Sequence, residues 1–197
     1  MFYLNRSIIM QRVNMNKIIT FIILFIIITP SLSVENLDIL INTSTYTSID
    51  EKECITLDSD NSGSVQECES FQDIGVKVIE GDIRQSIILT RNEKEYDLAF
   101  YSTVSPAFSS LGLKIEWRHE QGNSKNLRGI IVRFEASDDY ENEDKVSSYL
   151  VVSKITNNEI CVVARVSPQK RQNEIARSIL DAKKALPCLK NFSNLEK

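Results

Sequence analysis

Oxygen-bearing side chains crowd one stretch of this chain, Asp58-Ser59-Asp60-Asn61-Ser62-Gly63-Ser64-Val65-Gln66-Glu67-Cys68-Glu69. Their spacing matches an EF-hand-type calcium loop, with oxygens at loop positions 1, 3 and 5, Gly at 6, an apolar residue at 8 and Glu at 12. On that reading Asp58, Asp60, Ser62 and Glu69 give side-chain oxygens to calcium, Ser64 its carbonyl and Gln66 a contact through water. Gly63 permits the bend. The flanks oppose this reading, because such a loop joins two helices, whereas Cys54-Ile55-Thr56-Leu57 and Phe71 to Ile79 read as extended chain. The competing expectation is a polar hairpin turn at Asp60-Asn61-Ser62-Gly63, closed by a disulfide between Cys54 and Cys68.

Other reactive groups are sparse. His119 is the single histidine, so catalytic or metal sites that need two are excluded within one copy of the chain. Next to Trp117, Arg118 and Glu120 it reads as a surface or hairpin residue. No nucleophile-elbow, P-loop or dinucleotide-binding glycine pattern occurs, and six glycines leave little for cofactor loops. Carboxylates are plentiful, so a hydrolase using dispersed carboxylates stays an alternative, although spacing singles out no pair. Trp117, Phe100, Tyr101 and Phe108 are expected in the core rather than along a ligand groove. Asn42-Thr43-Ser44 and Asn191-Phe192-Ser193 fit the glycosylation pattern, which matters only in a host that glycosylates.

These groups must be positioned by a chain of 197 residues, enough for one domain of ordinary size. Residues 1–33 carry Arg6, Arg12 and Lys17 and no acid. The apolar run Ile18 to Ile28 follows, then Pro30, Ser31 and Ser33. This is the order of a secretory signal, with cleavage expected after Ser33. An apolar run of 11 residues falls short of the roughly 20 that span a bilayer, so an uncleaved membrane anchor is the lesser reading. Met15-Asn16-Lys17 would open a signal of ordinary length by itself, which makes Met15 the alternative start.

Residues 34–197 then form a single exported domain. It keeps all 27 acids and loses three of the 23 bases, giving 20 − 27 = −7. That balance opposes nucleic acid as a partner. Cys54, Cys68, Cys161 and Cys188 all follow the signal, and an even count in an exported chain reads as two disulfides. Pairing Cys54 with Cys68 and Cys161 with Cys188 brackets two local units. Zinc is disfavoured because no C-x-x-C pair occurs.

Short β-rich runs recur at Ile55 to Leu57, Gly75 to Ile79, Ile83 to Thr90, Tyr96 to Tyr101, Leu113 to Trp117, Arg128 to Ala136, Val146 to Ile155 and Ile160 to Val166. Asn157-Asn158 suits a two-residue hairpin turn with positive φ, and Glu120 to Asn126 reads as a polar loop. One helix is expected from Pro168 to Leu186. Ser167 would be its cap, Pro168 its first residue, and Ile175, Ile179, Ala182 and Leu186 its apolar stripe, flanked by Ala176 and Leu180. Lys183 and Lys184 suit its negative end, and Pro187 stops it. The acidic stretch Ser137 to Lys145 reads as a solvated, mobile connection with at most unspecific cation binding.

Three stretches carry a resemblance. They are Glu80-Gly81-Asp82-Ile83-Arg84, then Leu111-Gly112-Leu113-Lys114-Ile115-Glu116-Trp117-Arg118, then Ser148 to Val152 running through Cys161 to Val166, Asn173, Ala176-Arg177 and Pro187-Cys188-Leu189. Together they resemble an uncharacterised family of small exported bacterial proteins. The resemblance implies export and a shared fold, and it transfers no functional residue.

The expected fold class is α+β, an antiparallel β-sheet of short strands with one C-terminal helix packed on it and two disulfides. The expected function is that of an exported soluble envelope protein, periplasmic or secreted, acting as a non-catalytic binding or interaction module for an envelope or extracellular protein or ligand. A calcium-stabilised module and the carboxylate hydrolase are the alternatives.

Overall fold

The structure, a computed structural model, describes residues 41–139, 145–182 and 186–191. The expected signal segment 1–33, its cleavage point, Met15, Lys183 and Lys184 lie outside the described residues, as do 140–144 of the acidic connection.

Among the described residues ten strands form one mostly antiparallel sheet. They are β1 (Asn42–Ser48), β2 (Ile55–Ser59), β3 (Gly63–Phe71), β4 (Ile74–Gly81), β5 (Arg84–Arg91), β6 (Lys94–Asp97), β7 (Ser109–Glu120), β8 (Asn123–Ala136), β9 (Ser147–Ile155) and β10 (Ile160–Val166). The order runs β10-β9-β8-β7-β5-β4-β3-β2, with β1 on β7 and β6 on β5. Two arms meet at β7, where a parallel bridge, Arg84 to Ser109, joins them. The arms fold over one core. Val76, Ile87 and Leu89 from one side pack with Ile115, Trp117, Val132 and Phe134 from the other.

Alternation along the strands explains why the β7–β10 arm has two buried faces. On β8, Ile130, Val132 and Phe134 enter that shared core, while Ile131 joins Leu150, Val152, Val163 and Val166 in a second cluster on the outer face. A helix, α2 (Gln172–Asp181), covers this second cluster with Ala176 and Leu180. Gly129 makes the approach possible: a Cβ there would stand 2.1 Å from the Ser153 carbonyl oxygen and 2.8 Å from Leu180 Cδ2. The expected α+β class, the antiparallel sheet and the C-terminal helix are all observed.

Local expectations needed correction. α2 begins at Gln172 rather than Pro168, after Arg171 in the left-handed region at φ 62°. Its most buried residues are the flanking Ala176 and Leu180, and Leu186 lies beyond the helix, 42% exposed. The stretch Tyr96 to Tyr101 is not a strand throughout. β6 stops at Asp97, Ala99 turns left-handed at φ 45°, and a one-turn helix, α1 (Phe100–Thr103), follows. The loop at Glu120 to Asn126 shrinks to Gln121-Gly122, with Gly122 at φ 79°. Asn157 and Asn158 keep negative φ. Their turn is closed by Thr156, whose Oγ1 accepts from the Glu159 N–H at 3.1 Å. Among the described residues the two-residue turns with positive φ at both positions are Asp82-Ile83 and Asn92-Glu93. β7 and β8 run to 12 and 14 residues, longer than the short strands expected.

Both expected disulfides form, Cys54–Cys68 and Cys161–Cys188. The first pins the edge strand β2 to β3. The second fastens the segment after α2 to β10, where the Leu189 N–H also donates to the Val162 carbonyl at 2.8 Å. Loops of these sizes are worth about 3 to 4 kcal/mol each in the chain-entropy account.

Candidate functional site

The calcium-like stretch folds as the hairpin. β2 pairs with β3 so that Asp58 faces Val65 and Ser59 faces Ser64. Asp60 Oδ1 accepts from the Ser62 N–H at 2.7 Å, the Ser62 hydroxyl at 2.6 Å and the Gly63 N–H at 3.1 Å. The Ser62 hydroxyl and backbone hold the Asp60 carboxyl below its usual range. Asp60 and Ser62 are thus brought together, but Glu69 sits four residues past Val65 on β3, roughly 13 Å along the strand. The helix-flanked calcium loop is therefore corrected to a β-hairpin in which Asp58, Asp60, Ser62 and Glu69 do not converge. Among the described residues the one cluster with metal-ligand spacing is Glu159, Cys161 and Cys188, and its two sulfurs are joined as a disulfide.

His119 is corrected from a surface residue to a core one, 6% exposed. Its Nδ1 donates to the Glu120 carbonyl at 2.9 Å, its Nε2 shares a hydrogen bond of 2.9 Å with the Thr45 hydroxyl, and its ring stacks on Phe71. Two bonds and a stack are a structural occupation. Trp117 and Phe100 are fully buried as expected, whereas Tyr101 and Phe108 are 42% and 49% exposed.

The most organised polar cluster lies on the outer face of β1 and β7, beside α2. Strand register aligns Tyr46, Glu116, Ile131 and Val152 across β1, β7, β8 and β9, and on the next rung Ser44, Arg118, Gly129 and Lys154. Glu116 accepts from Arg177 Nε at 2.6 Å, Arg177 Nη2 at 3.1 Å and the Ser44 hydroxyl at 2.6 Å. Burial alone would raise its carboxyl, but the bonds from Arg177 and Ser44 and the Arg177 charge outweigh that and lower it. Arg177 also donates to the Tyr46 hydroxyl at 3.0 Å, and Glu116 raises its already high value. One rung away Arg118 clamps Asp181 at 2.8 and 2.5 Å and reaches Ser44 at 3.1 Å. Two forked Arg–carboxylate pairs, linked through Ser44, fasten α2 to the sheet.

Beyond that clamp no described residue covers the outer face, and a cleft of about 290 Å³ opens on it. Its floor is Ile131 and Leu150, and its walls are Tyr46, Leu113, Lys114, Glu116 and Arg133. Tyr46 and Leu113 are 50% and 61% exposed. The register of β7 against β8 slips between Leu111 and Ile115, so Gly112-Leu113-Lys114 bulges out to make the wall. Gly112 is needed there, since a Cβ would stand 2.9 Å from Arg133 Cβ. The Arg133 stem therefore lies along the bulge, with Nη1 donating to the Ser148 hydroxyl at 2.7 Å.

Two other clefts are less prepared. Hairpin tips enclose about 500 Å³ between Gln72, Asp73, Arg91, Asn92, Lys125 and Asn157. Arg91 is spent there on Asp73 at 3.0 Å and the Thr156 carbonyl at 3.2 Å. About 340 Å³ opens beside Ile79, Arg84 and Tyr101, but Arg84 is committed to the Pro106 carbonyl and Asp82.

In the sequence, Leu111 to Arg118 carries no motif that assigns it a function. The available signal was the pair Gly112-Leu113 interrupting a strand pattern, which marks a bulge. No family model, curated protein or solved structure matches the chain. No helix among the described residues is long and apolar enough to cross a membrane.

Proposed function

We propose that this protein is an exported, non-catalytic binding module, working in the periplasm or outside the cell, that seats a ligand in the cleft between Tyr46, Leu113, Lys114 and Arg133. Two disulfides suit an oxidising compartment. The observation that carries the reading is the contrast in charge along one sheet face. Arg177 and Arg118 are neutralised by Glu116 and Asp181, while Lys114 and Arg133, a few ångströms of strand away, have no ion-pair partner among the described residues.

Catalysis by carboxylates has weaker support. Asp60 and Glu116 are the carboxyls displaced from their usual range among the described residues. Both are lowered, and they lie on different arms of the sheet. A general acid needs the opposite shift.

The test is to incubate the oxidised protein with a small-molecule extract of the cell envelope and analyse it by native mass spectrometry. A mass-shifted species that is lost in Leu113→Asp and releases its ligand unchanged is the expected result. A ligand released in altered form would overturn the non-catalytic reading, and no adduct would overturn the binding reading.

A further inference from the structure

The cleft has a charge pattern that selects among ligand classes. Its floor is apolar, formed by Ile131 and Leu150, which are 3% and 4% exposed. Its walls add a half-exposed aromatic ring at Tyr46 and an exposed aliphatic side chain at Leu113. One carboxylate borders it, Glu116, and Arg177 neutralises that group through two bonds. What remains uncompensated is cationic: Lys114, which holds no hydrogen bond or ion pair among the described residues, and Arg133, whose bond goes to the neutral Ser148 hydroxyl.

Lys114 and Arg133 thus place two positive groups, without an ion-pair partner among the described residues, on a chain whose residues 34–197 carry a formal charge of −7. Two positive groups at the rim of an apolar floor form the counterpart of a molecule with one acidic end and one apolar end. Arg133 is also held in place. Its stem runs along Gly112 and its guanidinium is fixed by Ser148, so little side-chain freedom is lost when an anion docks. At about 290 Å³ the space is at the small end of ligand cavities, which favours a short chain over a long one.

We infer that the cleft binds a small amphiphilic carboxylate, with its acid group between Lys114 and Arg133 and its apolar body on Ile131 and Leu150 between Tyr46 and Leu113. This assignment rests on the binding-module reading and names the ligand class for it.

Octanoate is the probe, titrated by calorimetry into the oxidised protein as purified from the export compartment, with octanol as the neutral match. Saturable octanoate binding is expected, at least tenfold tighter than octanol. Lys114→Glu should weaken it tenfold or more, and Lys114→Gln by less. Gly112→Ala should weaken it severalfold by displacing Arg133, and a thermal melt of each variant checks that it is folded. The inference is overturned if octanol binds as well as octanoate, if Lys114→Glu binds unchanged, or if no saturable binding occurs. Failure with octanoate while the envelope-extract adduct persists and still disappears in Leu113→Asp removes the ligand class alone. Loss of both removes the binding module as well.

Discussion

The outer face of the β7–β10 arm is divided into two halves built on opposite terms. Under α2, two arginines meet their counter-charges, Arg177 with Glu116 and Arg118 with Asp181, and Gly129 leaves room for Leu180 to reach the sheet. Beside α2, the same strands carry Tyr46 and Leu113 into solvent and leave Lys114 and Arg133 without an ion-pair partner among the described residues. The covered half should therefore be expensive to disturb and the uncovered half cheap. The paired residues of the covered half are closed on themselves, whereas Lys114 and Arg133 keep open valences among the described residues.

The largest effect is expected in the covered half, at Gly129. Any side chain there meets the Ser153 carbonyl oxygen at 2.1 Å, and backbone cannot turn aside as a side chain can. Gly129→Val should lower stability by about 3 kcal/mol, the upper part of the usual overpacking range, as measured by urea unfolding. A loss under 1 kcal/mol would mean that α2 does not sit on the sheet as described.

Much of this contrast was legible only in part from the residues alone. The disulfide pairing, the hairpin alternative at Asp60-Asn61-Ser62-Gly63 and the runs that became β4, β5, β8, β9 and β10 follow from turn chemistry and apolar alternation. β1 escaped that reading because its inward residues are Thr45 and Thr47, which bond His119 and the Trp117 indole N–H rather than supplying apolar surface. β3 escaped for a related reason: its inward residues are Gln66 and Cys68, and the acidic pattern around them suggested a metal loop. The cleft was illegible because it is made by rungs across four strands. Tyr46, Lys114, Arg133 and Leu150 are neighbours only once the register is known, and a bulge shifts that register at Gly112.

A middle-sized effect tests the clamp. Glu116→Gln removes one partner of a mostly buried pair, a change that costs 3–5 kcal/mol when both groups are fully buried. With the Arg177 side chain 35% exposed, solvent screening reduces this to about 2 kcal/mol at pH 7. The sign with pH follows from the lowered carboxyl. The unfolded chain takes up the Glu116 proton at higher pH than the folded one, so the pair's contribution is complete above the ordinary value of 4.5 and is lost as pH falls below it. Urea unfolding of wild type and Glu116→Gln at pH 7 and pH 3 should show a gap that closes at the lower pH. A gap that persists at pH 3 would assign the loss to packing rather than charge.

The smallest effect belongs to the uncovered half. Lys114 makes no bond among the described residues, and Leu113 keeps most of its surface in water, so neither contributes to burial or pairing in the folded state. Leu113→Asp and Lys114→Gln should each change stability by less than about 0.5 kcal/mol in the same urea experiment, as surface changes away from caps, cores and ion pairs do. The value of that near-zero result lies in its pairing with the ligand measurements. If Lys114→Gln leaves unfolding untouched while weakening octanoate, the cation is held in place for something outside the chain. If instead it destabilises the fold by 1 kcal/mol or more, Lys114 is part of the sheet's own electrostatics, and the division between a closed half and an open half fails at its central residue.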